Sequence, residues 1–356
     1  SLAADRMPRL ASQIMTITSP VSMTIPSTRL RNVSRNRDTV SSETASNAGI
    51  SRRKVADSSL KGRIMAVTPR TSPMLTIFDP MALPKARWGH RMELTGVGDI
   101  YDLMVFDGLY EIFYGYHMGV TAENIAAMYG IGRQEQDELG VLSHNRAKSA
   151  IKEGLFAQEI VPVVIKTRKG ETVVDTDERP MDTDMEKMGK LRPAFKKDGT
   201  VTAGNASGIN DAAAAVLLMS AGRAAELGLE PIVKIKAFAS GGVDPAYMGL
   251  GPVPAVRKAL KTAGMTMDDI DMIELNEAFA SQAIGCMREL GIENDRPNEL
   301  GSGISLGHPI GCTGARQMVT GMNHMQRRGY SPGIISMCIG GGMGMAWGIE
   351  KYRGRV

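Results

Sequence analysis

Three short stretches in the last third of the chain hold residue types that can move protons. G-I-S-L-G-H-P (303–309), followed by G-C-T-G-A-R (311–316), sets His308 in a glycine-dense loop running into a helix start. Such a loop lets a ligand approach the backbone, and a helix N-terminus favours developing negative charge. His308 is therefore a candidate base or oxyanion donor, the plainer alternative being a structural hydrogen bonder. C-I-G-G-G-M-G (338–344) ends an apolar strand in a triple-glycine turn, which puts the Cys338 thiol at a strand end beside backbone N–H groups. That arrangement suits an oxyanion hole; a buried structural cysteine beside a tight hairpin is the competing reading. N-E-A-F-A (276–280) closes another strand and opens a helix, so Asn276 either presents its amide to a site or caps the helix.

The elements that must position these groups alternate. Residues 122–128 and 134–152 read as helices, the second with Leu139, Leu142, Ala147 and Ile151 at helical spacing. Residues 160–166 alternate as a strand before a Lys169-Gly170 turn, and the apolar run 212–219 predicts a buried strand followed by a helix at 223–227. Strands are then expected at 232–238, 270–275 and 334–338, and helices at 253–262, 278–290 and 314–327. Strand–helix alternation of this kind points to an α/β sheet covered on both faces.

The first 80 residues differ in kind. Of 40 glycines only Gly49 and Gly62 fall there, and Ser, Thr and Arg crowd a stretch whose apolar residues keep no period of 2 or 3.6. Three explanations compete: a transit peptide, a disordered tail opposed by Met15, Ile17, Val21, Met23 and Ile25, or an out-of-frame or misjoined stretch that is not natural coding sequence. The third is preferred, and no regular sheet is expected over residues 1–80. The chain begins with Ser1 and not Met, which fits an incomplete fragment.

Bulk properties remove several function classes. No uninterrupted apolar run approaches the roughly 20 residues that span a bilayer, so a membrane protein is not expected. A net charge of +4, with both signs interleaved, offers no patch of the kind nucleic-acid binders use. Cys286, Cys312 and Cys338 show neither C-x-x-C spacing nor nearby histidine pairs, which argues against a metal site or a disulfide framework and for a reducing compartment.

N-E-A-F-A, then G-H-P-x-G-x-T-G-A-R, then C-x-G-G-G-M-G, in that order and spacing, resembles the thiolase family, in particular its acetoacetyl type. The resemblance extends through L-P-K-A-R-W-G (83–89), Y-H-M-G-V-T-A-E-N (116–124), T-V-T-A-G-N-A-S-G (200–208) and G-V-D-P (242–245), covering residues 83–352. It implies an α/β, duplicated thiolase fold (layered αβαβα), two sheets sandwiching buried helices, with an inserted loop domain and an incomplete first half. The implied domains are an anomalous segment at 1–82, a loop domain over coenzyme A at 83–204, a remnant of the N-terminal half at 205–228 and the C-terminal half at 229–356.

Carried over by motif, the resemblance makes His308 the base that activates the nucleophile and, with a water held by Asn276, a stabiliser of the thioester enolate. Cys338 becomes the acid/base at the α-carbon, and the Gly340 N–H joins a second oxyanion hole. Ala203 and Ser207 match the pantetheine channel, Phe195 and Phe279 its apolar walls, and His117 and Met118 the pair beside a short acyl pocket. No permanently bound cofactor and no metal are implied; coenzyme A thioesters are substrates. Fatty acid metabolism, a homo-oligomer (dimer or tetramer) and a cytoplasmic location follow from the same likeness, the location becoming mitochondrial if the Arg/Ser-rich start is a transit peptide. Ala212 after Asp211 and the stretch 182–190 depart from the family pattern, leaving the adenine contacts open.

The largest departure is at the front. The family carries its nucleophile in a motif like N-x-x-C-x-S-G in the first half, and this chain has no cysteine before Cys286. Acyl transfer to the enzyme needs a thiolate, so the chain is expected not to turn over. The two functional expectations are an acyl-coenzyme-A acetyltransferase, condensing two acetyl thioesters or cleaving a 3-ketoacyl thioester, and a non-catalytic coenzyme-A-binding or structural relative.

Overall fold

A computed structural model describes residues 14–17, 63–67, 104–168 and 170–354. In chain order the elements are β1 (Ile14–Ile17), β2 (Arg63–Val67), β3 (Tyr110–Glu111), β4 (Tyr116–His117), α1 (Met118–Tyr129), α2 (Arg133–Lys152), β5 (Val163–Thr167), β6 (Gly170–Val174) and α3 (Met185–Gly189). They continue with β7 (Ala214–Ser220), α4 (Ala221–Glu226), β8 (Val233–Gly242), α5 (Pro252–Ala263), β9 (Met272–Leu275), α6 (Ala280–Leu290), α7 (Gly303–Leu306), α8 (Thr313–Arg328), β10 (Gly333–Ile339) and β11 (Met343–Lys351). A π-helical turn covers Met104–Leu109 and a 3-10 turn Pro245–Leu250.

Seven strands form one mixed sheet in the order β2-β7-β1-β8-β11-β10-β9. β10 runs parallel to β9 and antiparallel to β11, and β11 runs antiparallel to β8. On one side Ala239, Ile273, Leu275, Ile334 and Ala346 pack with Val253, Val256 and Leu260 of α5 and Ala283 and Ile284 of α6. On the other, Val233, Ile235, Met272, Ile335 and Ile349 meet Met318, Met322 and Met325 of α8. Residues of the same parity in β8 serve opposite sides because the pairing steps from Ala237↔Gly348 to Ile235↔Ile349, a one-residue bulge that turns the strand over. The predicted layering of helices on both faces of an α/β sheet is thus present.

Four differences from the sequence expectations have physical causes. β1 pairs parallel with β7 and β2 antiparallel with it, so Ile14–Ile17 and Arg63–Val67 do join a sheet, against the expectation for residues 1–80. Strands of four and five residues are too short to show a period, and β7 provides the edges they extend. The rest of residues 1–80, and the 83–103 start of the expected loop domain, lie outside the described residues. Among the described residues β7, from the stretch 205–228, shares its sheet with the strands of the C-terminal half, where the resemblance implies two sheets. β7 is also only partly buried: Val216, toward α8, and Met219, toward Ala224 of α4, are covered while Leu217 and Leu218 are half-exposed, because each face meets a helix along part of its length. Finally β11 carries no apolar run, its glycines breaking the signal, and is found by its pairing with β8 and β10.

The hairpin β5–β6 stands exposed along its length, and Gly170, expected in the turn, instead opens β6 by pairing with Thr167. Among the described residues no helix is long and apolar enough to cross a membrane.

Candidate active site

β10 delivers Cys338 to the end of the sheet. Ile339 pairs with Met343, leaving Gly340-Gly341-Gly342 as the turn, and Gly341 and Gly342 take φ of 73° and 78°, a left-handed backbone that only glycine adopts freely. Gly340 is bare for a different reason: a Cβ there would stand 2.8 Å from the Met118 Cε. Cys338 is buried among Ala122, Met248, Ala278 and Phe279, and that burial pushes its thiol up to about 12. At neutral pH it is a protonated acid.

β9 ends beside it. The Asn298 side chain staples the strand end, its Oδ1 accepting from Leu275 N at 2.9 Å and its Nδ2 donating to Leu275 O at 2.7 Å and Glu277 Oε1 at 3.0 Å. Asn276 N then donates to Ser336 O at 2.9 Å. The Asn276 side chain is fully buried, and neither Oδ1 nor Nδ2 has a partner in the protein. Leaving such an amide unpaired costs about 1–3 kcal/mol, so the position suits a group that meets water or a ligand. The capping alternative fails: the residue at the N-cap of α6 is Phe279, and Ala280 N at the helix start donates to Asn205 O at 2.8 Å.

His308 hangs between α7 and α8, its backbone N donating to Gly208 O at 2.9 Å. Its Nδ1 lies 2.7 Å from Thr313 Oγ1, and Thr313 Oγ1 donates to Pro309 O at 3.0 Å. A hydroxyl has one proton; once it is given to Pro309, Thr313 can only accept, so Nδ1 carries the imidazole proton and Nε2 presents a lone pair. Burial, helped by the positive charge of Arg316, pushes His308 down to about 4, which keeps it neutral at pH 7. Arg316 stands 3.5 Å from Glu274, which burial pushes up to about 8 against the pull of that guanidinium.

His308 and Cys338 line one cavity of about 460 Å³, together with Met118, Ser207, Phe279 and Gly340. The other residues singled out by motif surround it at a remove. His117 and Phe195 stack at 4.7 Å, and Phe195 meets Phe279 edge-on at 6.0 Å, so the three rings form a file that reaches the cavity at Phe279. His117 Nδ1 accepts from Gly119 N at 2.9 Å and caps α1. Ala203 is exposed in the turn before Asn205, and Asn276 lies behind the wall, next to Ser336. Cys286 is fully buried, its thiol held against Gly249 O at 3.2 Å and pushed up by burial, and Cys312 is likewise buried and shifted upward. Sequence reasoning quoted Thr313 and Arg316 inside the G-x-T-G-A-R motif without giving them a task, and passed over Glu274 and Asn298. An isolated glutamate in an otherwise apolar strand is the signal that marks Glu274.

Among the described residues no group of three or more His, Cys, Asp or Glu side chains stands where it could hold a metal.

A strand end and a glycine loop bringing a protonated thiol and a neutral imidazole to one cavity fit the likeness seen in the motifs, and comparison with known proteins agrees. The family model "Thiolase, N-terminal domain" matches residues 79–222 and "Thiolase, C-terminal domain" residues 229–351. The chain is 57% identical over 273 residues to the acetyl-CoA acetyltransferase of Syntrophomonas wolfei, a match covering 76% of this chain and 69% of the relative. Against the acetyl-CoA acetyltransferase of Escherichia coli it is 52% identical over 268 residues, covering 75% and 67%. The crystal structure of the Bacillus anthracis acetyl-CoA acetyltransferase superposes with a TM-score of 0.70 at 46% identity, over 75% of this chain and 67% of that one. Human mitochondrial 3-ketoacyl-CoA thiolase gives 0.70 at 39% identity, over 72% and 65%. The chain belongs to the thiolase family, a family of acyltransferase enzymes.

Proposed function

We propose that this chain binds acyl-coenzyme-A thioesters and carries the proton-transfer half of thiolase chemistry, without the acyl transfer. The observation that carries the reading is the pairing of a neutral His308, Nε2 lone pair free, with a protonated Cys338 in the wall of one cavity. Cys338 first loses its Sγ proton to water, and the small thiolate population so formed takes a proton from the α-carbon: the C–H bond breaks, an S–H bond forms, and the electron pair moves to the thioester oxygen. Asn276, through water, and the Gly340 N–H are assigned to that oxygen. Return of a solvent-exchanged proton from Sγ to carbon closes the cycle. His308 acts as base toward a nucleophilic thiol and becomes a donor to the oxyanion only after taking that proton. The cysteines are Cys286, Cys312 and Cys338, so no upstream thiol supplies it. Exchange is therefore slow and turnover absent.

His117 and Met118 are assigned to the acyl end, and Ala203, Ser207, Phe195 and Phe279 to the pantetheine path. An acetoacetyl-length substrate, a homo-oligomer and a cytoplasmic place in fatty acid metabolism belong to the same proposal, as do a loop domain at 83–204 and an N-terminal remnant at 205–228. The missing upstream cysteine also favours a second reading, a relative that binds coenzyme A and does no chemistry.

Incubating the full chain with acetyl-coenzyme A in deuterium oxide separates them. Deuterium entering the acetyl methyl group, lost in Cys338→Ala, supports proton transfer, and binding without exchange supports the second reading. Cleavage of acetoacetyl-coenzyme A at ordinary enzyme rates, on the order of 10 per second, overturns the claim that acyl transfer is absent. A chimera restoring a complete first half with N-x-x-C-x-S-G should recover turnover.

A further inference from the structure

Two loops meet at the cavity: residues 303–308 carry His308 and residues 206–210 carry Ser207. The His308 backbone N donates to Gly208 O at 2.9 Å, and Gly307 packs so closely on the Asn210 side chain that a Cβ there would collide with it. A side chain from a third segment spans both loops. Arg179, between β6 and α3, donates from Nε to Ile304 O at 2.9 Å and from Nη2 to Ala206 O at 3.4 Å. Its guanidinium lies against Gly208, where a Cβ would collide with Cζ, Nε and Nη1 alike. The segment is itself anchored, since Met181 N donates to Nδ1 of His144 on α2 at 3.2 Å. His144 is fully buried, and burial, helped by Arg179 and Lys148, pushes it down to about 4. It therefore stays neutral at pH 7, and Nδ1 keeps the lone pair that accepts.

Burial alone shifts Arg179, downward, and among the described residues no carboxylate pairs with it. A partly buried cation without a counter-charge is costly, and here the backbone carbonyls of two different loops supply the compensation. The guanidinium is planar and its donors point in fixed directions, so the carbonyls it joins are held at a set separation. We propose that Arg179 is a positioning residue: it braces the Ser207 loop against the His308 loop and so fixes the imidazole relative to the Ser207 edge of the cavity. Arg179 does not line the cavity itself and acts only through the two loops. The inference deepens the proposed function and rests on it only for what His308 does; the brace rests on the contacts around Arg179.

In the full chain, Gly208→Ala places a methyl group where the guanidinium lies. It should destabilise the parent and be nearly neutral beside Arg179→Ala, a coupling of about tenfold in the unfolding equilibrium constant read from urea melts. Additive effects would mean that Arg179 does not lie on Gly208, and overturn the inference. The positioning role is read at His308 by nitrogen-15 NMR of the histidine side chains. The parent should show one sharp pair of ring signals, and Arg179→Ala broadened or doubled ones as the loop samples more than one placement. Millimolar guanidinium ion, far below the molar range that unfolds proteins, should restore the single pair. With acetyl-coenzyme A in deuterium oxide, exchange at saturating substrate should fall at least about tenfold in the same variant while the half-saturating concentration holds, because misplacing a reacting group by about 1 Å can cost roughly 10²-fold. Parent-like signals in Arg179→Ala, or a change that guanidinium does not reverse, would show a role in packing alone and overturn the inference. If Arg179→Ala does not fold, Arg179→Lys, which keeps the charge and loses the planar fork, replaces it, and parent-like signals there overturn the inference. A parent that exchanges no deuterium sinks the proposed function, and the His308 signals still decide the brace.

Discussion

The two sides of the central sheet are finished to different degrees. Toward α5 and α6, Ile334, Ala346 and Leu275 are sealed, and at the strand end Cys338 is sealed in a neighbouring cluster with Ala122, Met248 and Phe279. On the opposite side of the same two strands, Met337, Met345 and Trp347 are only partly buried, and the cover is α8. The proposed reacting pair straddles this boundary. Cys338 belongs to the sealed side, where packing fixes it and raises its pKa. His308 belongs to the loop that opens α8, where one local hydrogen bond holds it. Dense packing positions a side chain through many weak contacts and resists single changes in any one of them. A loop residue depends on one or two directed bonds, and its placement is correspondingly easier to lose.

The contrast predicts unequal costs of truncation on neighbouring strands. Ile334→Ala should lower stability by about 3 kcal/mol, since a fully buried aliphatic side chain leaves a cavity behind. Met345→Ala on the open side should cost less, about 1 kcal/mol, because that side chain is only partly buried. Urea melts of the two variants measure the difference. Equal midpoint shifts would mean that the open face is covered in solution, and would break the comparison.

The sealed side was also the more legible in the sequence. α2 and α5 read correctly because each keeps a 3.6-residue apolar period over several turns, and β10 because its apolar run ends at glycines. β7 shows why the open side misled: a continuous apolar run signals a strand covered on both faces, and α8 and α4 each cover only part of one face. The order of strands left no trace in the chain, since the bulge in β8 and the antiparallel insertion of β11 are set by pairing between distant segments. The same limit applied at the site. His308 and Cys338 stood out by residue type and glycine spacing, whereas the Glu274–Arg316 pair and the Asn298 staple arise only once β9 and its neighbours are side by side.

Beneath α8 the open side closes again, and Glu274 tests how dry it is there. Its folded pKa is raised to about 8 from the ordinary glutamate value of 4.5, with burial the first cause. Below pH 4.5 the carboxyl is neutral in both folded and unfolded chains. As pH rises toward 8 the unfolded chain ionises first, so the contribution to stability present at low pH is lost progressively across that window. Glu274→Gln removes this titration. Between pH 5 and pH 7 the variant should therefore gain about 2 kcal/mol relative to the parent, read from urea midpoints at each pH. A constant difference across the window would show that water reaches Glu274 and that the open side extends under α8.

The smallest expected effect bears on the weaker half of the pair. Thr313→Val keeps the shape of the side chain and removes the oxygen that lies 2.7 Å from His308 Nδ1. The hydroxyl also donates to Pro309 O, so two neutral hydrogen bonds are lost; Pro309 O keeps its bonds from backbone N–H groups, and the fold should survive with a loss of about 1–2 kcal/mol. The imidazole, however, loses the acceptor that assigns its proton to Nδ1, and the tautomer with the proton on Nε2 becomes accessible. Nitrogen-15 NMR of the histidine side chains distinguishes the two states. The parent should show a protonated Nδ1 and a bare Nε2, Thr313→Val should shift that pattern toward a protonated Nε2, and Thr313→Ser, which keeps the hydroxyl, should restore it. Cys338, held by packing on the other side of the sheet, should remain a protonated thiol in all three. An unchanged Nδ1 signal in Thr313→Val would mean that His308 too is fixed by its surroundings, and the difference between the two sides would then lie in exposure alone.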